Sequence, residues 1–329
     1  MGDQPNRASI EAIGARVLRS WWFLGVVSAA IIGLLVLASW PCWFNRFVLK
    51  ATTRIVEISA SAPGIHVFGL KLPSGEIQIF GANAAGLPPE LAAIAATGSV
   101  RLVASSATLQ SISLPNGAGL VVRMTSDGSA DIGVLNDGSI SLALSGSIDR
   151  IDDSGQRTTL VNLVRATSWD IRPAERNNPA RLMLPAGVMP ISLYNQPIGN
   201  FWFRPPQPAD GDPLTFHSEI IKGELQMLDT GTKIELEPGE LVLLEGGSRT
   251  LSRLEFVDKA IAVDISGTAD RISAGPLRPG APLRLDRDLT PSVLSYLVGQ
   301  HELKLTWGIA LAVLGALWKA RQWALKWGK

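Results

Sequence analysis

The chain has 329 residues, of which 18% are charged and 46% hydrophobic, and its formal net charge is +1. That length admits one large domain or two small ones. The charge is unevenly spread: residues 1–54 carry +4, residues 304–329 carry +5, and the stretch between them carries −8. An acidic centre excludes nucleic acid as its partner, and the basic ends lie beside apolar segments, where anionic lipid attracts them. The single cysteine, Cys42, excludes an intrachain disulfide and a cysteine-based metal site. No Asn-x-Ser/Thr sequon occurs, and 21 arginines outnumber 9 lysines. The expectation is a bacterial envelope protein without N-glycosylation.

Residues 1–20 read as a short cytoplasmic N-terminus. Trp21 to Trp40 is twenty residues without a charge, which as a helix spans roughly 30 Å, the thickness of a hydrocarbon core. Trp21, Trp22, Trp40 and Trp43 fall where an aromatic belt sits at the interface. A cleaved signal peptide is the alternative. The run is long for that, and it ends in Ser39-Trp40-Pro41, without a small-x-small site. The residues before Cys42 also lack the small side chains of a lipoprotein cleavage site, so Cys42 reads as an inert interfacial thiol. The segment is therefore expected to anchor the chain in the inner membrane.

From about residue 55 to residue 275 the texture is that of an antiparallel β-sandwich or jelly roll, lying in the periplasm. Turn signals recur: Ser74-Gly75, Asn116-Gly117, Asp127-Gly128, Asp137-Gly138, Ser154-Gly155, Thr230-Gly231 and Gly246-Gly247. Asn-Gly and Asp-Gly accept positive φ and favour hairpins. Between them apolar residues alternate, as in Val100, Leu102 and Ala104, in Ile140, Leu142 and Leu144, and in Ile261, Val263 and Ile265. Pro88 to Ile94 predicts one short helix. Proline-rich stretches from Arg172 to Pro190 and from Arg204 to Pro213 read as loops. They divide the domain into lobes of about 55–170 and 214–275, or else form long loops within one domain. Residues 276–290 read as a linker.

Thr290-Pro291-Ser292 looks like a helix cap with proline at the first helical position, opening a helix within 291–329. Leu305 to Trp318 is an apolar run of fourteen residues, short enough for an interfacial helix; counted on to Trp323 it reaches nineteen. With Lys304 and Lys319 snorkelling, 304–323 reads as a second crossing marked by Trp307, Trp318 and Trp323. The basic tail then puts both termini in the cytoplasm. Gly25, Ala29 and Gly33 share one helix face, as do Gly308, Ala312 and Ala316. Small-residue faces let helices approach closely in lipid, joining the two segments to each other, to a second copy or to a membrane-protein partner.

Motifs for chemistry are scarce. His66, His217 and His301 are isolated, and there is no zinc spacing, nucleophile elbow or phosphate-binding glycine loop, so neither cofactor nor metal is expected. Asp149, Asp152 and Asp153 cluster before Ser154-Gly155, but not in a calcium-loop spacing. Phe201-Trp202-Phe203 is either a core strand or, exposed, a partner- or lipid-contacting spot. The leading expectation is a non-enzymatic accessory or scaffold subunit of a cell-envelope membrane complex. The alternative is a periplasmic carrier or bridge for a lipid or glycolipid, for which Leu120-Val121-Val122 and Leu241-Val242-Leu243-Leu244 supply strands apolar on both faces. A carboxylate hydrolase using Asp149 and Asp153 is the third.

Overall fold

Period-two alternation in the central region becomes strand. The computed structural model describes residues 32, 33, 36, 45–72, 76–80, 82–85, 99–152, 154–174, 179–184, 192–204, 218–276, 285, 287–292, 308, 311, 315, 318 and 319. Nineteen strands lie among them. The first nine are β1 (Asn45–Thr53), β2 (Ile55–Ala60), β3 (Gly64–Lys71), β4 (Glu76–Phe80), β5 (Ala82–Ala85), β6 (Ser99–Leu114), β7 (Gly119–Met124), β8 (Ala130–Leu135) and β9 (Ser139–Ile151). They are followed by β10 (Arg157–Pro173), β11 (Ala180–Leu184), β12 (Ser192–Trp202), β13 (Ile220–Met227) and β14 (Lys233–Leu236). The last are β15 (Leu241–Glu245), β16 (Arg249–Val257), β17 (Ala260–Ala269), β18 (Arg271–Gly275) and β19 (Arg287–Asp288).

Sixteen strands join in one sheet, in the order β14-β13-β1-β17-β16-β12-β2-β7-β8-β11-β4-β6-β9-β10-β5, with β3 on β6 beside β4. The order β15-β18-β19 makes a second, small sheet. Pairing is antiparallel in both. Strands from 55–170 and from 214–275 thus share the large sheet, since β2 lies between β12 and β7 while β1 lies between β13 and β17. β1 begins at Asn45, ten residues ahead of the stretch 55–275. Arg172–Pro190, read as a loop, contains the end of β10 and all of β11; prolines flank β11 without entering it. The expected linker contains β19. The expected helix at 88–94 and the residues 205–217 lie outside the described residues.

One face of each alternating strand meets the core. Ile140, Leu142 and Leu144 of β9, and Ile261, Val263 and Ile265 of β17, are fully buried. They belong to one contiguous apolar cluster that also takes in Phe47, Leu109 and Trp169. Among the described residues no helix covers a face of the large sheet. β4 and β5 are one residue apart, yet β4 pairs with β6 and β5 pairs with the far end of β10. The β6–β9–β10 ribbon is thereby tied back to the segment from which it starts, and the end of β10 comes close to β8 and β11.

The same ribbon carries a crease. Register slips between Ala104 and Ser106 on β6 and between Leu163 and Thr167 on β10, flanking Gly146 of β9, which has φ +79°. A Cβ on Gly146 would lie 2.5 Å from the Ser105 Cβ, so the close approach requires glycine there.

The turn signals locate most hairpins. Positive φ falls on Gly117, Gly128, Gly155 and Gly231. In the β8–β9 turn it falls on Asn136 instead of Gly138, because Asn tolerates the left-handed region. Gly246 and Gly247 do not close a hairpin; they carry the chain from β15 in the small sheet to β16 in the large one. Arg249 clamps this crossing. Its guanidinium donates to the Leu244 carbonyl at 2.6 Å, to the Gly246 carbonyl at 2.7 Å and to the Gly199 carbonyl on β12.

Packing divides the chain into two units, one of Phe44–Leu228 with Thr232–Leu289 and the other of the chain ends with Asp229–Gly231. In the second unit Ile32, Gly33, Val36, Gly308, Leu311, Gly315, Trp318 and Lys319 are helical and exposed. Among the described residues no helix is long and apolar enough to cross a membrane.

Two glycines separate backbone strain from collision. Gly117 (φ +81°) has open space around its missing Cβ, whereas a Cβ on Gly247 (φ +70°) would strike the Thr268 carbonyl oxygen. Gly117→Ala is expected to cost about 1–2 kcal/mol and Gly247→Ala about 3 kcal/mol or more, read from denaturant midpoints of the two variants.

Candidate functional site

A strand that lacks a neighbour presents a row of free amide and carbonyl groups. β10 is seventeen residues long and pairs with β9 over nearly its whole length. On its outer side β5 covers only Asp170–Pro173. Among the described residues, nothing pairs the outer edge of Arg157–Trp169. This edge also has an apolar foothold. Val164 stands at the crease and is 97% exposed, while Leu160, Val161 and Leu163 are half-buried against the core. The remaining side chains are small, except Arg157, Arg165 and the buried Trp169, and all of the small ones but Ala166 are polar.

The other margins are blunted. β14 is four residues long and closes that end with an exposed Lys233–Glu224 ion pair at 3.2 Å. β3 displays Ile65 and Val67, 71% and 80% exposed, but its first residues lean on β12. There His66 Nε2 lies 3.0 Å from Gln196 Oε1. The Gln196 amide nitrogen is used up by the Ala62 and Pro197 carbonyls, so the His66 ring donates and the Gln196 oxygen accepts.

The sequence matches no protein-family model and no curated protein. The reading of the site therefore rests on its geometry.

Of the aromatic triplet, Phe201 and Phe203 point into the core, with ring centroids 5.4 Å apart and edge to face. Trp202, half-buried, lies on the opposite face under the Arg204 guanidinium, 4.4 Å from the ring centroid. Glu57 is opposite Trp202 in the β2–β12 pairing. Burial raises its carboxyl above the ordinary range, and Arg204 partly offsets this. The two-faced apolar runs are protein core: Leu120, Val121 and Val122 are buried, as are Leu241, Val242 and Leu244.

Of the helix-face residues, Gly33 and Gly308 are described, and a Cβ on either would meet nothing within 4 Å. Gly25, Ala29, Ala312 and Ala316 lie outside the described residues, as do Trp21, Trp22, Trp40, Trp43, Trp307 and Trp323; Trp318 is 49% exposed.

The aspartate cluster serves its own turns. Asp152 accepts from Ser154 N at 2.9 Å, Ser154 Oγ at 2.6 Å and Gln156 N at 2.8 Å, which holds its carboxyl below the usual range. Asp149 accepts from the Thr159 hydroxyl at 2.8 Å, and Asp153 lies outside the described residues. Among the described residues no group of three or more His, Cys, Asp or Glu is arranged to hold a metal ion.

A feature without a sequence motif lies where β1 passes into β2. Arg54, Arg123, Thr125, Ser126 and Glu219 line a cleft of about 290 Å³. Its floor is tied by Met124 N to the Arg54 carbonyl at 2.8 Å and by the Thr53 hydroxyl to the Glu219 carbonyl at 2.9 Å. The neighbouring turn is closed by Asp127, which accepts from the Thr125 hydroxyl, from Ser129 N at 3.1 Å and from Ser129 Oγ at 2.8 Å. Those bonds, Thr125 first, lower the Asp127 carboxyl to about 2.

Because its folded value is depressed, Asp127 favours the folded turn above its ordinary carboxylate range, and that contribution is lost as pH falls through about 2. A carboxyl-carbon NMR titration should place its midpoint near 2, and Thr125→Val should move the midpoint upward.

Proposed function

We propose that this protein is a non-enzymatic accessory or scaffold subunit of a membrane complex in the bacterial cell envelope. Its β domain receives an extended segment of a partner protein on the free edge of β10. The carrying observation is that Arg157–Trp169 has no strand on its outer side among the described residues, while β9 holds its inner side in register. An added strand would satisfy the free backbone groups and cover Val164, and the main-chain bonds would supply affinity while alternate side chains supply specificity.

The finer architecture belongs to the same proposal. The domain is a β-sandwich or jelly-roll-like body in the periplasm, carried by helices at Trp21–Trp40 and 304–323 in the inner membrane, with both termini in the cytoplasm. Support comes from the uncharged twenty-residue run, the flanking tryptophans and the basic ends. The exposure of Ile32, Val36 and Leu311 on helical backbone agrees with a lipid or protein environment around them. Helix-to-helix contacts through Gly33 and Gly308 would use faces that meet nothing among the described residues.

The test is purification of the tagged protein at native expression in mild detergent, followed by mass spectrometry. Membrane proteins recovered in fixed ratio support the scaffold reading. A lone protein carrying lipid replaces it with the carrier reading, and a wholly soluble protein after detergent-free lysis removes the membrane assignment.

The edge has its own readout. A triple variant Thr158→Lys, Asn162→Lys and Val164→Lys puts charge along the outer edge without touching the buried side of β10. Partner recovery should fall about tenfold while the thermal midpoint moves little. A photo-crosslinker at position 164 should capture the same partner, and unchanged recovery in the triple variant would sink the edge assignment.

A further inference from the structure

Several arginines of this domain meet a carboxylate or a carbonyl. Arg181 pairs with Asp131, and Arg287 pairs with Glu240. Arg253 pairs with Asp264 at 3.0 Å and with Glu255 at 3.3 Å. Arg271 meets Asp288 at 3.4 Å, and Arg249 spends its donors on backbone oxygens. With residues 55–303 at −8, acidic partners are in excess. Among the described arginines without such a partner, Arg54 and Arg123 share one cleft. Both line the cleft at the β1–β2 junction, and neither guanidinium has an ion pair or hydrogen bond among the described residues. Glu219 lines the same cleft without closing on either of them.

Strand pairing fixes the two arginines near each other. Arg123 stands opposite Ile55 in the β2–β7 register, and Arg54 immediately precedes Ile55. The bond from Met124 N to the Arg54 carbonyl locks the two backbones at this point. Both arginines therefore line one recess, whose other lining residues include Ser126 and Glu219. Paired forks with ten N–H donors between them suit a tetrahedral oxyanion, which accepts bidentate bonds from each. Glu219, which lines the same cleft, suits a hydroxyl or ammonium carried by the same ligand.

The geometry points to a phosphate-binding site in this cleft, with Arg54 and Arg123 as its anion-holding residues and Glu219 receiving a donor group on the rest of the ligand. The phosphate is either that of a soluble phosphomonoester or that of a lipid headgroup.

The full chain in phosphatidylcholine nanodiscs would be titrated calorimetrically with inorganic phosphate, chloride balancing the ionic strength so that screening stays constant. Saturable one-site binding is expected. Arg54→Gln and Arg123→Gln should each weaken it about tenfold or more, with unchanged thermal midpoints, because neither side chain is buried or bonded. Lys71→Gln, an exposed charge outside the cleft, should leave it unchanged. In a second arm, the same proteins would be floated with phosphatidylcholine vesicles with and without phosphatidylglycerol. Arginine-dependent flotation on the anionic vesicles assigns the phosphate to a lipid headgroup; arginine-dependent phosphate binding without flotation assigns it to a soluble ligand. The proposal is overturned if neither probe responds to Arg54→Gln or Arg123→Gln, or if Lys71→Gln acts as strongly. Phosphate binding is independent of partner recovery through β10, so failure of one leaves the other standing.

Discussion

A β-sheet with one apolar face needs a second layer, and among the described residues other strands of the same sheet supply it. Helices cover neither face of the sixteen-stranded sheet among the described residues, and open sheets of that width do not stay flat. The solution is curvature: β5 pairs back to the end of β10, β7 comes close to β17, and the apolar sides of distant strands merge in one cluster from Phe47 to Trp169. Nearly every other feature follows from that requirement. The crease through Ser105, Gly146 and Val164 lets three long strands bend together, and the small sheet of β15, β18 and β19 is fastened on through Arg249.

Curvature without full closure leaves margins, and the margins differ in chemistry. β14 is short and charged, whereas β10 continues for thirteen residues beyond the reach of β5. Free amides there remain hydrated, so the open edge costs little while it stands alone. Each main-chain bond formed to an incoming strand replaces a bond to water and contributes about 0.5–1.5 kcal/mol net. Length and an apolar foothold, more than any one side chain, distinguish this edge. The cleft at Arg54 and Arg123 is the complementary case, since its character resides in side chains.

Local features of this fold were legible in the sequence, and long-range ones were not. Asn116-Gly117, Asp127-Gly128, Ser154-Gly155 and Thr230-Gly231 mark turns because positive φ is a property of one or two residues. The buried faces of β6, β9 and β17 follow from alternation for the same reason. Asp258, with φ +55°, closes the β16–β17 hairpin without a glycine to announce it. The first part of β10 alternates poorly because it is an edge with little burial on either face, so its extent could not be read. Strand order is invisible to local pattern: nothing in Arg157–Trp169 says that no neighbour follows, and nothing near Arg54 says that Arg123, far along the chain, shares its recess. Arg54 counted only as one more basic residue near an apolar segment. The triplet at 201–203 left two readings open, and alternation divides them, with both phenylalanines inward and Trp202 outward.

Arg249 has a mechanical meaning. The chain leaves this domain by way of β19, two residues long and held to β18 at Ser273 and Ala274. Tension applied from the C-terminal end would load antiparallel bonds one at a time, first β19 from β18, then β18 from β15. At the turn after β15 that unzipping meets a guanidinium anchored to carbonyls at Leu244, Gly246 and Gly199 at once. Through them the end of β15 is held to β12 as well as to its own turn, so β15 stays on the large sheet even after β18 has been drawn away from it.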